Sequence, residues 1–535
     1  MRQPLCRSSS LSVVQESGKP WDVAIIGGGA SGLGAAVDAA SRGFRTVLVE
    51  QGDFGKGTSS RSTKLIHGGF RYLKQGDLSL VKESLHERAL LLRNAPHLVK
   101  PLSFVVPTYR WWERLYYGIG LKVYDRLAGS EGVGRSRFLS RRDTLEHLNG
   151  LSPDGLHGGV FYYDAQFDDS RLAMTLAQTA VNQGGLVLNY ARVENFLKEE
   201  DQVCGLVVRD LESNAAFEIR ARSVINATGV FTDEMRHLDD EQASPVMQLS
   251  QGIHVVLDAG VLGGETAMMI PKTDDGRILF AIPWMGKVVL GTTDTPVKSA
   301  EIEPLPLESE IDFLLEHASR YLARSVSRKD VRSVFAGIRP LVSDADKKET
   351  SSISRKHRIL VSKSGLVTIA GGKWTTYRKM AEDVVNKAIE VSGLVERPCK
   401  TSQLRLHGGD SSEGDSAKWA AYGVDSQFLD ELVALHPEWD RIIHPQLPIR
   451  EVEVVWAVRY EMARTVEDVL SRRTRALLLD ANASIQAAPE VAKIMSLELN
   501  QDEIWIEEQI RCFSKLAQNY CVNISQSPSP GHKAP

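Results

Sequence analysis

Residues 21–50, WDVAIIGGGASGLGAAVDAASRGFRTVLVE, constrain the fold more than any other part of the chain. A short apolar run that fits a buried strand is followed by a glycine-rich turn, an alanine-rich helical segment and a second apolar run. Strand, helix and strand in this order form a βαβ unit, in which the two strands lie parallel in one sheet. The sequence therefore predicts an α/β protein with a doubly wound parallel sheet.

The turn of this unit carries Gly27-x-Gly29-x-x-Gly32, and Glu50 ends the second strand. The first glycine permits a tight turn, the second lets the backbone approach a pyrophosphate, and the third allows the helix to pack closely on the strand. The helix N-terminus offers N–H groups and a positive dipole end to phosphates, and Glu50 would accept hydrogen bonds from a ribose diol. The spacing predicts a Rossmann-type dinucleotide-binding domain in which these four residues bind the cofactor.

Three later segments favour FAD over NAD as that dinucleotide. Residues 58–73, TSSRSTKLIHGGFRYL, form a polar loop after the first βαβ unit, and the strand SVINATG at 223–229 ends in small residues. Residues 366–385 begin with a strand, a Gly-Gly turn and a helix, whose N-terminus would favour the negative charge of a reduced flavin. No cysteine lies in these motifs, so we predict non-covalent FAD. The further predicted cofactor contacts are Thr58, Ser59, Ser60, Gly229, Gly372 and Thr375.

The 535 residues have an ordinary globular composition, with 42% hydrophobic and 25% charged residues, and allow several domains. We predict a mostly antiparallel β substrate (cap) domain inserted into the FAD-binding domain, and a helical C-terminal domain. The predicted boundaries are a disordered leader at 1–19, the FAD-binding domain at 20–395 with cap segments near 100–160 and 245–335, a linker at 396–418, the helical domain at 419–520 and a disordered tail at 521–535.

Charge and cysteine usage exclude several other classes. The net charge of −4 gives no overall attraction for nucleic acid, and we predict no nucleic-acid partner. Five scattered cysteines without a CxxC spacing predict neither a metal site nor a disulfide framework. No run of about 18 apolar residues exists that would span a bilayer as a helix.

The motifs together resemble the quinone-linked, membrane-associated family of FAD-dependent glycerol-3-phosphate dehydrogenases, over roughly residues 21–520. The resembling segments are IIGGGASGLG, TSSRSTKLIHGGFRYL, SLHERALLLRNAPHL, INATG, IPW near GTTD, GIRPL, GGKWTTYR and RRTRALLLD. The segment GGKWTTYR is more similar to the mitochondrial branch than to the common bacterial one. The resemblance implies oxidation of sn-glycerol 3-phosphate to dihydroxyacetone phosphate by hydride transfer to flavin, with the electrons passed to membrane quinone.

The resemblance also implies the substrate contacts. Arg71, Arg339 and Lys373 would hold the phosphate and the glycerol oxygens, and guanidinium and ammonium groups suit a phosphate dianion. Removing the hydroxyl proton requires a base with a pKa near the working pH, for which histidine is the natural residue. His67 and His254 both lie in family motifs, and the sequence does not decide which of them is the base. The predicted catalytic residues are therefore His67, His254 and Arg339.

Residues 110–127, RWWERLYYGIGLKVYDRL, combine aromatic, aliphatic and basic side chains at helical spacing. This combination suits a bilayer interface, and it equally suits a helix packed inside the cap domain. We predict a peripheral protein on the cytoplasmic face of the cell membrane, with the mitochondrial inner membrane as the alternative. Whether the chain forms a homodimer stays open.

Three other functions stay open. A glycerol-3-phosphate oxidase would pass the electrons to oxygen and release hydrogen peroxide. An amine or amino-acid oxidase would bind a carboxylate where the two arginines and the lysine favour a phosphate. A flavoprotein that only binds FAD would need neither of the two histidines.

Overall fold

The computed structural model describes residues 5–69, 77–342, 356–410 and 417–523. The strands are β1 (Trp21–Ile26), β2 (Thr46–Val49), β3 (Leu65–Ile66), β4 (Lys100–Thr108), β5 (Arg137–Leu139), β6 (Gly158–Gln166), β7 (Leu186–Leu188), β8 (Ala191–Glu199), β9 (Gln202–Asp210), β10 (Ala216–Asn226), β11 (Met247–Asp258), β12 (Ala267–Ile270), β13 (Leu279–Trp284), β14 (Lys287–Gly291), β15 (Thr295–Val297), β16 (Val331–Val342), β17 (His357–Val361), β18 (Val367–Gly371), β19 (Ile442–His444) and β20 (Leu447–Arg450).

The α-helices are α1 (Arg7–Gln15), α2 (Ala30–Ser41), α3 (Leu78–Asn94), α4 (Trp111–Ala128), α5 (Arg141–His147), α6 (Asp169–Asn182), α7 (Thr232–Asp239), α8 (Glu308–Ser319), α9 (Tyr377–Ser392), α10 (Ser426–Leu435), α11 (Glu451–Tyr460), α12 (Ala476–Leu479), α13 (Ala481–Leu499) and α14 (Glu503–Gln518). A π-helical turn, Asp468–Arg473, precedes α12.

The first sheet is built around β1, with the strand order β17-β18-β10-β1-β2-β7. Its strands run parallel except for the edge strand β17. The strand β1 is apolar except for Asp22 near its start, because both faces of the sheet are covered. Helices α2, α6 and α9 cover one face, and the hairpin β8–β9 with α1 covers the other. The predicted α/β fold with a parallel sheet is confirmed, with a β-hairpin layer on its second face.

The second sheet is mostly antiparallel and corresponds to the predicted cap. Its strands follow the order β15-β11-β14-β13-β12-β4-β6-β3, with β16 beside β11 and β5 beside β6. Most of these strands come from residues 100–166 and 247–342, so the chain leaves the first sheet twice to build the cap. The edge strand β3 follows the loop after the first βαβ unit. This loop therefore joins the two sheets.

The C-terminal region packs its helices against the cap sheet. Val256 and Phe335 of the cap share a buried cluster with Leu477, Ala488 and Phe513. The region is mainly helical, as predicted, and it also contains the short hairpin β19–β20, whose strands pair antiparallel. The C-terminal helices and the cap thus form one continuous apolar core.

The predicted disordered leader is wrong for residues 7–15, which form helix α1. The Arg7 side chain is buried, pairs with Asp210, and donates from Nε to the carbonyl of Asn189 at 3.2 Å. Leu5 forms a β-bridge with Glu461 of the C-terminal region. The buried Arg7 guanidinium therefore holds helix α1 in place. Its acceptors lie about two hundred residues away along the chain.

The remaining predicted boundaries fall on irregular backbone or outside the described residues. Residues 396–410 contain neither an α-helix nor a strand, and a 3-10 segment, Ala417–Asp425, follows them. Residues 411–416 of the predicted linker and 524–535 of the predicted tail lie outside the described residues. The domain boundaries themselves stay predictions.

Helix α4 lies on the surface of the cap with two different faces. Tyr117, Leu121 and Tyr124 pack into a buried cluster with the cap strands. Trp111 and Ile119 point outward and are 72% and 62% exposed. None of the helices in the described ranges is both long and apolar enough to cross a membrane.

Candidate active site

The first cavity lies where β1 and β2 end, and it has about 1300 Å³ of empty space when the adjoining open solvent is included. Carboxyl ends of parallel strands are the usual binding edge of such sheets. Of the residues predicted to contact the cofactor, those that line this cavity are Gly27, Gly29, Glu50, Thr58, Ser59, Gly229 and Gly372. Lys56 and Trp374 also line it, and the sequence analysis did not identify them.

The glycine turn fits the close approach of a pyrophosphate. Gly27 has φ +108°, in the region that favours glycine, and a Cβ there would overlap the carbonyl of Ala227. A Cβ at Gly32 would overlap the carbonyl of Gly27, so Gly32 permits the turn without lining the cavity. The N–H of Ala30, at the start of α2, donates to Ser59 Oγ at 2.9 Å. The cradle is thus open only because its backbone carries no side chains.

Glu50 holds the turn as well as facing the cavity. Its two carboxylate oxygens accept from the N–H of Gly28 at 2.6 Å and of Gly52 at 2.8 Å. Burial raises the pKa of Glu50, and these two backbone donors oppose that shift. The carboxylate keeps further lone pairs for a ribose diol.

Ser60 and Thr375, also predicted as cofactor contacts, lie behind the cavity wall instead of on it. Ser60 is buried, and its carbonyl accepts from Lys64 Nζ at 2.8 Å. Thr375 Oγ1 donates to the carbonyl of His67 at 3.4 Å. Both residues shape the backbone that carries the cavity.

The second helix N-terminus predicted at the cavity begins after Gly371 and Gly372, which have φ of +78° and +87°. A 3-10 turn, Trp374–Thr376, leads into α9. Trp374 Nε1 donates to the carbonyl of Ser59 at 2.9 Å, which ties this turn to the loop opposite. The cavity is therefore bordered by two loops that hydrogen-bond to each other.

A second cavity lies against the cap sheet, with about 990 Å³ of empty space when the adjoining open solvent is included. His67 and Arg339 both line it, with Thr63, Asp164 and Asp294. Thr58 and Ser59 face the first cavity, whereas Thr63, Leu65 and His67 face the second. One stretch of chain, Thr58–Gly69, thus serves both cavities, and we call it the shared loop.

Arg339 projects from β16 into this second cavity. Its guanidinium lies against Gly252, where a Cβ would overlap it, and donates to Thr292 Oγ1 at 2.9 Å and the Thr293 carbonyl at 3.0 Å. Its contacts with the Gln251 carbonyl and Asp294 are longer, at 3.3 and 3.5 Å. The guanidinium is therefore held by short contacts from Nη2 and by longer contacts from Nη1.

The other two predicted substrate contacts are not among the described residues that line the second cavity. Lys373 lines the first cavity, and its ammonium donates to Ser84 of α3. Arg71 lies outside the described residues.

The two candidate bases occupy different environments. His67 lines the second cavity, and His254 does not. His254 is buried in β11, stacks on Phe335 with ring centroids 4.9 Å apart, and places Nε2 3.0 Å from Thr63 Oγ1. Burial, with Arg339 and Lys64 nearby, holds the pKa of His254 well below its ordinary value. The imidazole of His254 is therefore neutral at pH 7 and lies behind Thr63.

A buried carboxylate anchors the shared loop from behind. Asp169, at the start of α6, accepts from Ser62 N at 2.9 Å, from Lys64 Nζ at 2.7 Å and from Arg475 at 2.9 Å. Burial disfavours its charge, but Lys64 and Arg475 outweigh this and lower the pKa of Asp169. Arg475 also donates to the Ser60 carbonyl at 2.8 Å. The C-terminal region thus holds the loop that carries both cavities.

These anchors share no motif with the residues they hold, so no local sequence pattern marks them. Asp164, Tyr124 and Asp169 each act on the shared loop from a different helix or strand. The RRTR segment that contains Arg475 was identified only as part of a family resemblance. In the described ranges, no group of three or more histidine, cysteine, aspartate or glutamate side chains is placed to hold a metal ion.

Comparison with known proteins agrees with this arrangement. The model of the FAD dependent oxidoreductase family matches residues 22–378, and that of the C-terminal domain of alpha-glycerophosphate oxidase matches residues 399–505. The mitochondrial glycerol-3-phosphate dehydrogenases of Homo sapiens and Macaca fascicularis are each 40% identical to the chain, over 96% of this chain and 75% of theirs. The chain belongs to the FAD-dependent glycerol-3-phosphate dehydrogenase family.

A solved member of this family has the same fold. The X-ray structure of the glycerol-3-phosphate dehydrogenase from Bacillus halodurans, complexed with FAD, aligns with a TM-score of 0.76 and 30% identity, over 97% of this chain and 99% of that one. Membership confirms the predicted family, the FAD-binding α/β fold and FAD as the cofactor. The glycine cradle, Glu50 and the two helix N-termini are the groups of this chain that would hold FAD.

We expect Glu50→Ala to lower the affinity for FAD by about tenfold or more. The variant loses a charged acceptor for the ribose, and it leaves the N–H groups of Gly28 and Gly52 without their acceptor, at a cost of roughly 1.5–3 kcal/mol. Glu50→Gln keeps one carbonyl oxygen, and its affinity for FAD should lie between those of Glu50→Ala and the wild type. Titration of the apoprotein with FAD measures this, and an unchanged affinity in Glu50→Ala would remove Glu50 from the cofactor site.

We expect His254 to make the protein less stable as the pH falls below about 6.5. Unfolded histidine takes up a proton there, whereas folded His254, with its lowered pKa, does not. The unfolded state then binds more protons, so stability falls with decreasing pH, by at most about 1.4 kcal/mol per pH unit from this group. His254→Gln should flatten the dependence of the melting temperature on pH between 7 and 5. The exposed His237 supplies the control His237→Gln; equal slopes in both variants would contradict the assignment.

Proposed function

We propose that the chain oxidises sn-glycerol 3-phosphate to dihydroxyacetone phosphate with FAD. The observation that carries this proposal is the shared loop, because it faces the flavin cavity with Thr58 and Ser59 and the second cavity with His67. Arg339 supplies a guanidinium for a phosphate in that second cavity. Relatives at 40% identity carry the name glycerol-3-phosphate dehydrogenase, which supports the same substrate.

When bound, FAD supplies the acceptor for the hydride that leaves C2 of the substrate. Arg339 would hold the phosphate, since a guanidinium binds a phosphate dianion by two parallel hydrogen bonds. Lys373, which lines the first cavity, and Arg71 stay proposed contacts of the phosphate and the glycerol oxygens. Fixing the phosphate fixes the distance of C2 from the shared loop, which is the orienting part of the catalysis.

His67 is the proposed base. It lines the second cavity and takes the proton of the C2 hydroxyl, so that the oxygen's electron pair forms the carbonyl as the hydride leaves. His254 is buried and neutral, and it contacts Thr63 of the shared loop rather than the cavity. We propose that His254 supports the loop, through Thr63, and takes no proton from the substrate.

We propose membrane quinone as the electron acceptor, with helix α4 as the membrane contact. The outward residues Trp111, Trp112, Leu115, Ile119 and Val123 are all exposed, and the exposed cations Arg110, Lys122 and Arg126 lie on the same helix. Phe138 beside α4 has Arg114 and Lys122 within 5.3 and 5.5 Å of its ring. Apolar and basic groups together suit the headgroup region of an anionic bilayer.

The names of the relatives support a mitochondrial membrane as the one that this surface would meet. Those at 40% identity are named as mitochondrial, which favours the mitochondrial inner membrane over the cytoplasmic face of a cell membrane. Oxygen remains the alternative acceptor, since the C-terminal family model is described from an oxidase. The relatives at 40% identity are named dehydrogenases and not oxidases, which favours quinone as the acceptor.

Anaerobic titration of the purified FAD-bound protein tests the reaction and the acceptor together. We expect glycerol 3-phosphate to bleach the flavin absorbance, a quinone to restore it quickly, and oxygen to restore it only slowly. Fast reoxidation by oxygen with release of peroxide would instead identify an oxidase. A flavin that the substrate fails to bleach would refute the proposed function.

We expect Arg339→Lys to lower kcat/KM by about thirtyfold. An ammonium cannot make the two parallel hydrogen bonds of a guanidinium, and losing one of them costs on the order of 2 kcal/mol in transition-state binding. Arg332→Lys is the matched control, because Arg332 lies on the same strand, pairs with Asp258 at 2.6 Å and faces neither cavity. Steady-state kinetics with a soluble dye measure both variants. Wild-type kinetics in Arg339→Lys would remove Arg339 from the phosphate site.

We expect the double variant Trp111→Glu/Trp112→Glu to lose vesicle binding and quinone turnover while it keeps dye reduction. Two negative charges oppose an anionic surface, where each nearby basic residue contributes about 1 kcal/mol, and the variant also removes apolar area from the contact. Leu435→Glu/Leu497→Glu places the same charge on exposed leucines of the C-terminal region and should bind vesicles as the wild type does. Co-sedimentation with anionic vesicles, beside the two activity assays, decides the matter. Full sedimentation and quinone turnover in the tryptophan variant would assign α4 to cap packing alone.

A further inference from the structure

Tyr124 connects helix α4 to the shared loop through a single hydroxyl. It lies on the inner face of α4 and is 2% exposed. Its oxygen accepts from the N–H of Gly68 at 2.8 Å and donates to Asp164 Oδ2 at 2.9 Å. Gly68 directly follows His67, so this contact acts on the backbone beside the proposed base.

The peptide between His67 and Gly68 is held at both of its polar atoms. Its carbonyl accepts from Thr375 Oγ1 at 3.4 Å, and its N–H donates to Tyr124 at 2.8 Å, with a longer contact to Asp164 Oδ1 at 3.4 Å. Thr375 belongs to the turn after Gly372 at the flavin cavity, whereas Tyr124 belongs to the cap. A peptide plane held from two opposite sides cannot rotate without breaking one of these contacts.

The hydroxyl of Tyr124 is itself fixed by a buried ion pair. Asp164 Oδ1 lies 2.6 Å from the Arg88 guanidinium, and the Asp164 and Arg88 side chains are 4% and 2% exposed. Burial raises the pKa of Tyr124 well above its ordinary value, and Asp164 adds to this shift. The hydroxyl therefore keeps its proton for Asp164 and offers its lone pair to Gly68.

The glycine at position 68 is part of the same arrangement. A Cβ there would overlap both the Tyr124 hydroxyl and the side chain of Leu85. Only a residue without a side chain lets the hydroxyl reach the backbone N–H. The close approach therefore depends both on glycine at position 68 and on the hydroxyl of Tyr124.

We propose that Tyr124 is a positioning residue that aims the imidazole of His67 into the second cavity. The inference rests on the proposed function, because it assigns Tyr124 a role in the proton transfer by His67. Tyr124 is not among the described residues that line either cavity, and it reaches the shared loop at the N–H of Gly68. Removing its hydroxyl should slow the chemical step and leave the binding of FAD and of the phosphate unchanged.

The test compares Tyr124→Phe with the wild type and with Tyr109→Phe, all as FAD-bound proteins. Tyr109 is the matched control because its buried hydroxyl has no hydrogen-bond partner in the described part of the chain. Anaerobic stopped-flow mixing with glycerol 3-phosphate gives the limiting rate of flavin reduction and the apparent Kd of the substrate. We expect Tyr124→Phe to reduce the limiting rate by about tenfold or more, since small misplacements of a catalytic group are costly, with a change in Kd below about twofold. Tyr109→Phe should match the wild type in both.

Thr375→Val gives a second approach to the same peptide. It removes the hydrogen bond on the carbonyl side and should also lower the limiting rate. In the double variant with Tyr124→Phe, the fold decrease in the limiting rate should be smaller than the product of the two single decreases, because both substitutions act on one peptide. If Tyr124→Phe does not retain FAD, Thr375→Val with the same two readouts decides the proposal.

The outcomes separate this inference from the function on which it rests. A wild-type flavin that glycerol 3-phosphate fails to reduce overturns both. A wild-type flavin that is reduced, with an equal limiting rate in Tyr124→Phe, overturns the positioning role and leaves the function standing. A raised Kd at an unchanged limiting rate would likewise overturn it, since it would assign Tyr124 to substrate binding.

Discussion

The buried carboxylate of Asp169 is the interaction on which both cavities depend. It gathers an amide and a hydroxyl from Ser62, the ammonium of Lys64 and the guanidinium of Arg475. An unpaired charge at such a depth is strongly unfavourable, and removing one partner from a buried pair costs on the order of 3–5 kcal/mol. The pairing is therefore satisfied only when the shared loop, α6 and the C-terminal region are all in place. The walls of the flavin cavity and the position of His67 follow from this one arrangement.

The C-terminal region is consequently part of the site rather than an appendage to it. Beside Arg475, Arg472 and Arg473 both bind Asp53, which lies on the chain between Glu50 and the shared loop. Burial disfavours the charge of Asp53, but the two arginines outweigh it and hold its pKa below the ordinary value. The segment from Glu50 to His67 is thus held from the back by side chains more than three hundred residues later in the sequence. Such support is what a site needs to keep its groups in a fixed geometry.

The sequence predicted the structure best where the residues of one short segment determine the local backbone by themselves. The turn at Gly27 and Gly32 needs glycine for local steric reasons, so the βαβ unit and the cofactor edge could be predicted from adjacent residues. The two candidate bases could be found by residue type, but only the fold separates His67, on the cavity wall, from His254, behind Thr63. Helix α1 was missed because Arg7 is held by distant acceptors such as Asp210. Tyr124, Asp164 and Asp169 were missed for the same reason, since no local pattern marks a residue whose partner comes from another part of the chain.

The most direct test of this account is a crystal structure of the reduced, FAD-bound protein with glycerol 3-phosphate. The account predicts that the cofactor contacts Thr58 and Ser59 of the shared loop, that the phosphate contacts Arg339, and that the C2 hydroxyl lies roughly 2.6–3.2 Å from the His67 imidazole. A substrate whose C2 hydroxyl faces His254, or whose phosphate is bound away from Arg339, would contradict the claim that one loop serves both cavities.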